Sequence, residues 1–98
     1  MDELLEASYF EPHVGQLVRF KGTDFAFPLV QVIKSEQSLP DYVKRQPFTL
    51  IFRGPKPGRV MPEGSYECEF EDGAVYSIHI SPIHTPQPDR QEYQAVFN

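Results

Sequence analysis

Short stretches of strict apolar and polar alternation, punctuated by proline and glycine, run through most of this chain. In Gln16–Lys21 the residues Val18 and Phe20 share one side and Leu17 and Arg19 the other, the period of two that marks a half-buried strand. Phe27–Ile33 is a second strand, entered through Pro28 and β-branched at Val30, Val32 and Ile33, which suits a pleated surface. Pro47–Arg53 sets Phe48, Leu50 and Phe52 against Thr49, Ile51 and Arg53 and is the best candidate for a central strand. Ser65–Glu71 places Tyr66, Cys68 and Phe70 opposite Glu67, Glu69 and Glu71; after Asp72-Gly73 the alternation resumes in Ala74–Ile80 with Tyr76, Ile78 and Ile80 together. These two segments form a hairpin whose tight turn needs glycine at positive φ. Gln91–Asn98 is the last strand, with Tyr93, Ala95 and Phe97 on one face.

Ten prolines and six glycines leave little room for long helices. One short helix is expected at the N-terminus, capped by Asp2, carrying Leu4, Leu5 and Ser8–Phe10, and ended by Pro12. Ser35–Gln46 reads as a polar loop, Gly54–Gly64 as a rigid irregular loop, and Pro82, Pro86 and Pro88 as a second stiff loop. The fold class is therefore mainly β: a small antiparallel β-barrel or sandwich of about six strands, with the helix plugging one end or covering one face. At 98 residues the chain is a single domain, 1–98.

Composition narrows the function classes. Nine Lys and Arg against fourteen Asp and Glu give a net charge of −5, which repels a phosphate backbone and argues against nucleic acid. Cys68 is the single cysteine, so no intrachain disulfide forms, which fits a reducing compartment. Met1–Phe10 holds Asp2, Glu3 and Glu6 in place of a basic signal-peptide start, and no apolar run reaches the length of a membrane span. The expectation is a soluble cytoplasmic protein without a membrane partner.

Candidate chemistry is sparse. Glu67, Glu69 and Glu71 stand about 6.5 to 7 Å apart along one strand face, a spacing similar to glycosidase carboxylates, but the alternation puts them on the solvent side. Cys68 alternates inward between apolar neighbours, where its thiolate is disfavoured, and His79 faces away from it. His13, His79 and His84 lack any metal-ligand spacing, no serine sits in a G-x-S-x-G elbow, and no phosphate-cradling glycine motif occurs, so no cofactor is expected. Arg53-Gly54-Pro55-Lys56-Pro57-Gly58-Arg59 is the one candidate binding segment: Arg53, Lys56 and Arg59 on a stiff loop could hold an anion or an acidic partner.

Three segments together resemble a family of short uncharacterised bacterial domains. They are Pro47-Phe48-Thr49-Leu50-Ile51-Phe52-Arg53-Gly54-Pro55, then Gly64-Ser65-Tyr66 with Gly73, then Pro82-Ile83 followed by Tyr93-Gln94-Ala95-Val96-Phe97-Asn98. The family pattern reads P-F-S-L-x-F-R-G-P, a glycine and tyrosine before a hairpin, V-P-I, and a terminal Y-E-A-V-F-N. Phe10-Glu11-Pro12-His13-Val14-Gly15 is similar to its opening, and Thr49, Gln94 and Ser81 depart from it. The resemblance implies a small β-rich fold, a bacterial source and an encoding near tail-collar-like proteins of phage or phage-derived systems; it implies no activity. Arg53, a polar residue within an apolar motif, is expected to pair with a carboxylate such as Glu69 or the C-terminus. The function expected is a non-enzymatic structural or protein-interaction module accessory to a phage-derived or tail-like assembly. Its partner is another protein, met through the proline-rich loops and the hairpin, and the sequence leaves the oligomeric state open. The alternative is a small-ligand or anion-binding β-barrel using the Arg53–Arg59 loop, and a third reading is a hydrolase built on Cys68 or paired glutamates.

Overall fold

A computed structural model describes residues 6–34, 47–55, 60–83 and 90–97. All six expected strands form: β1 (Leu17–Phe20), β2 (Ala26–Lys34), β3 (Phe48–Pro55), β4 (Gly64–Glu69), β5 (Val75–Ile83) and β6 (Arg90–Phe97). They close into an antiparallel barrel in the order β1-β2-β3-β6-β5-β4, which decides between the barrel and the sandwich. Closure satisfies the edges that an open sheet would leave exposed.

Two nine-residue strands make the corners. Residues 26–28 of β2 pair with β1, and from Leu29 onward β2 pairs with β3, with a register shift between Leu29 and Gln31. In β5, residues 75–80 pair with β4 and residues 81–83 pair with β6. Each strand thus changes partners part-way along, the device by which strands turn the corner between two packed sheets. Both corners carry a proline, Pro28 and Pro82. Pro82 lies beyond the last β4–β5 pair, Gly64↔Ile80, so its missing N–H deprives β4 of nothing.

Three local expectations change. Gly54 and Pro55 belong to β3, paired with Gln91 and Arg90, and Ser81–Ile83 belongs to β5; sequence alone reads both as loop because glycine and proline punctuate a chain before any partner strand is known. The hairpin loop is Glu71–Gly73, closed by Phe70 N–H to Ala74 O at 2.8 Å and Gly73 N–H to Phe70 O at 2.9 Å. Gly73 takes φ 94°, as expected of that turn. The helix α1 is only Ala7–Phe10, followed by a 3-10 turn over Glu11–His13 in which Pro12 occupies an early position where no N–H is required. Asp2, Leu4 and Leu5, the Ser35–Gln46 loop, Pro86 and Pro88 lie outside the described residues.

The core is aromatic and divides along the barrel into two groups that together take in all eight phenylalanines. At one end Phe10 enters from α1 and meets Phe48, Phe70, Tyr76 and Phe97 with ring centroids 5.0 to 6.2 Å apart. In the other group Phe20 lies against Phe27, Phe52 and Tyr66, while Phe25 and Tyr93 also flank Phe27. Phe27 and Tyr93 stack at 4.7 Å and 13°. Leu29, Leu50, Met61, Ile78 and Ile80 fill the remaining space.

Candidate functional site

Of the three residues expected to bind, the structure describes Arg53; Lys56 and Arg59 lie outside the described residues. Arg53 and Glu92 face each other as register partners on β3 and β6. The guanidinium Nη2 stands 2.7 Å from Glu92 Oε2, and Nε donates to the same oxygen at 2.9 Å. The partner is therefore Glu92 rather than Glu69, which lies on β4. The pairing follows from which strands adjoin in the closed barrel, a long-range fact that alternation does not carry. An anion recruited by Arg53 has to compete with this carboxylate.

Cys68 is buried among apolar side chains, and burial pushes its thiol from an ordinary 9.0 up to about 12. That leaves it protonated and a poor nucleophile at neutral pH. Tyr93 is raised as well, chiefly by burial, while its hydroxyl accepts a hydrogen bond from the Met61 N–H at 3.0 Å. Of the three glutamates on β4 and its turn, Glu67 and Glu71 are exposed and Glu69 is half-buried; Glu71 accepts the Leu17 N–H across the β1–β4 seam.

Two arrangements are not evident from sequence. On the outer face of the β4–β5 hairpin, Ser65 and His79 are register partners with Oγ 3.4 Å from Nδ1, and His79 Nε2 lies 3.0 Å from Glu63 Oε2. The hydrogen bond with His79 is the main cause that holds Glu63 below the ordinary carboxylate value. The order serine, imidazole, carboxylate resembles a nucleophile relay, but the His79 and Glu63 side chains are 59% and 63% exposed. Water competes for each contact there, unlike in an enclosed site. The second arrangement is at the N-terminal cap. His13 is buried against the Phe70 ring at 4.6 Å, with Nδ1 3.2 Å from Gln16 Oε1 and 3.3 Å from Asp72 Oδ2. Both neighbours are acceptors, so Nδ1 carries the hydrogen. The only signals in the sequence are the pair Ser65 and His79 in the hairpin register and the histidine following Pro12; each also fits an ordinary surface residue.

Open hollows of about 450 Å³ and about 300 Å³ flank β1, one along the β1–β2 turn and one between Leu17, Arg19, Glu69 and Glu71. Neither is lined by Glu63, Cys68 or Tyr93, so the groups with shifted titration do not meet in either. Among the described residues no three His, Cys, Asp or Glu side chains converge as metal ligands. No helix among them is long and apolar enough to cross a membrane.

The molecule is thus a small closed six-stranded antiparallel barrel whose interior is occupied by its own side chains. It belongs to the family DUF6916, a domain of unknown function, whose model matches residues 5–97. No curated protein and no solved structure matches the chain.

Proposed function

We propose that this domain is a non-enzymatic protein-interaction module that works through its outer surface, as an accessory to a phage-derived or tail-like assembly. The observation that supports it is the filled interior. Phe10, Phe20, Phe52, Phe70 and Tyr93 are essentially without solvent contact inside the barrel, occupying the space that ligand-binding barrels leave open. The raised thiol of Cys68 points the same way, since the single cysteine serves packing. The assembly context rests on the resemblance of the three sequence segments described above. Affinity purification of a tagged copy from its native host at moderate salt tests the reading: a reproducibly retained tail-like or assembly protein is the expected result. Recovery of the chain alone, together with thermal stabilisation by a small ligand, would overturn it.

A further inference from the structure

The two sides of the barrel differ in charge, and the difference follows from register. On the β1–β4–β5 side, outward positions include Arg19, Lys21, Glu67, Glu69 and His79. On the β2–β3–β6 side, two consecutive outward rows carry no formal charge. One is Ile33↔Thr49↔Val96 and the next is Gln31↔Ile51↔Gln94. Ile33 and Val96 are 46% and 54% exposed while their inward neighbours Phe48, Leu50 and Ala95 are buried; Leu17 and Val75 on the other side are exposed to a similar degree, so the absence of charge, not the exposure, sets this face apart. The following row is Arg53↔Glu92, whose charges neutralise each other.

We infer that this uncharged face pairs with the same face of a second copy of the chain. The inference rests on the interaction-module reading and names its first partner. The face is self-complementary. A two-fold axis lying in the contact plane along β3 brings β2 of one copy over β6 of the other. Ile33 then meets Val96, Thr49 meets Thr49, Ile51 meets Ile51, and Gln31 meets Gln94 amide to amide. In these two rows every position finds its own chemical kind and no like charge from the two chains of net charge −5 is brought together; in the next row Arg53 faces Arg53, each already paired with Glu92 of its own chain. Charge depletion at the centre of a contact is what protein interfaces show. Three strands spaced about 4.8 Å apart over roughly five residues give a patch on the order of 250 Å², well short of the ~800 Å² per partner of a stable complex. The dimer is consequently weak and exchanging, fit to be reinforced when several copies are held together.

Sedimentation velocity of the full chain over a concentration series up to about 1 mM tests this. The weight-average sedimentation coefficient is expected to rise with concentration and not to fall when salt is raised, because no ion pair is made. Ile33→Lys and Val96→Glu are each expected to stay monomeric throughout, with circular dichroism and melting confirming that both fold. Mixed one to one, they are expected to associate again, since the introduced ammonium of one copy then faces the introduced carboxylate of the other, and this mixed pair is salt-sensitive. A wild-type chain that stays monomeric, a dimer that survives both substitutions, or a mixture that does not associate overturns the inference. A monomeric wild-type chain that still retains a host assembly protein separates the two readings, sinking the self-pairing and keeping the interaction module.

Discussion

Gly54 shows how little room a single position leaves. It lies inside β3 with its α-carbon toward the core, and a β-carbon built on it would stand 2.4 Å from two atoms of the Phe27 ring. That ring is itself held by its stack on Tyr93, so it has nowhere to retreat. Gly54→Ala is expected to destabilise the protein by about 1 to 3 kcal/mol in chemical denaturation, and Phe27→Leu in the same chain to recover part of the loss in a double-mutant cycle. Tyr93 has a second duty, because its hydroxyl receives the buried Met61 N–H. Tyr93→Phe leaves that donor unpaired and is expected to cost about 1 to 3 kcal/mol with the strands unchanged, read by denaturant midpoint and circular dichroism. The sign of the pH dependence at Cys68 follows from its raised thiol. In the unfolded chain the thiol ionises near the ordinary 9.0, whereas in the native state it holds its proton to about 12. Above the lower value only the unfolded state releases the proton, so stability falls as pH rises from about 9 towards 12, and Tyr93, also raised, acts in the same direction. The melting temperature of Cys68→Ala is expected to drop less than that of wild type between pH ~8 and ~10.5, and native Cys68 to resist iodoacetamide until the chain is denatured.

At the scale of elements, the N-terminal cap is held by one residue more than by its helix. Four residues of α1 are too few to persist alone, and Glu6 at its start makes no side-chain cap. Phe10 instead plugs the barrel end against four rings, assisted by Glu11 to Lys34 at 2.9 Å and by His13 on Phe70. Phe10→Ala is therefore expected to cost about 3 to 5 kcal/mol and to raise hydrogen exchange at Phe48 and Phe97, while Lys34→Ala, which breaks only an exposed pair, changes stability by less than about 1 kcal/mol. The same elements show what alternation discloses. Val18 and Phe20, Phe48, Leu50 and Phe52, Cys68 and Phe70, Ile78 and Ile80, Tyr93 and Ala95 are all buried as their period of two implies. Strand ends are another matter. Pro55 and Ser81–Ile83 lie in strands because β6 is there to pair with them, a relation that local pattern does not contain. Arg53 with Glu92 and His13 with Asp72 are invisible for the same reason, since each joins elements whose adjacency is a property of the closed barrel. The uncharged rows on β2, β3 and β6 are each unremarkable in sequence and become a face only once the register aligns them.

For the whole molecule, closure is what turns six marginal strands into one cooperative unit. β1 has four residues and joins β4 through the register pairs Arg19↔Glu69 and Phe20↔Cys68, extended by Lys21 N–H to Glu67 O and Leu17 N–H to the Glu71 carboxylate, so the barrel is shut there by a short seam between strands distant in the chain. The longest ladder is the β3–β6 pairing, eight residue pairs from Phe48↔Phe97 to Pro55↔Arg90. It ties strands separated in the chain by the whole of β4 and β5, so the loop-closure entropy of the fold is concentrated there and the native contacts offset it only together. Removing Ala95–Asn98 takes three of those pairs and the Phe97 ring that stacks on Phe48 at 4.5 Å and 7°. It also withdraws one of the four rings around Phe10, so the N-terminal cap is loosened from the opposite end of the chain. Because the barrel has no independent half to fall back on, the truncated chain is expected to lose its cooperative thermal transition rather than melt at a lower temperature with the same sharpness. Calorimetry decides between the two: a sharp endotherm of reduced midpoint from the truncated chain would mean that β3 keeps its place without the end of β6, and that closure is less demanding than the register implies.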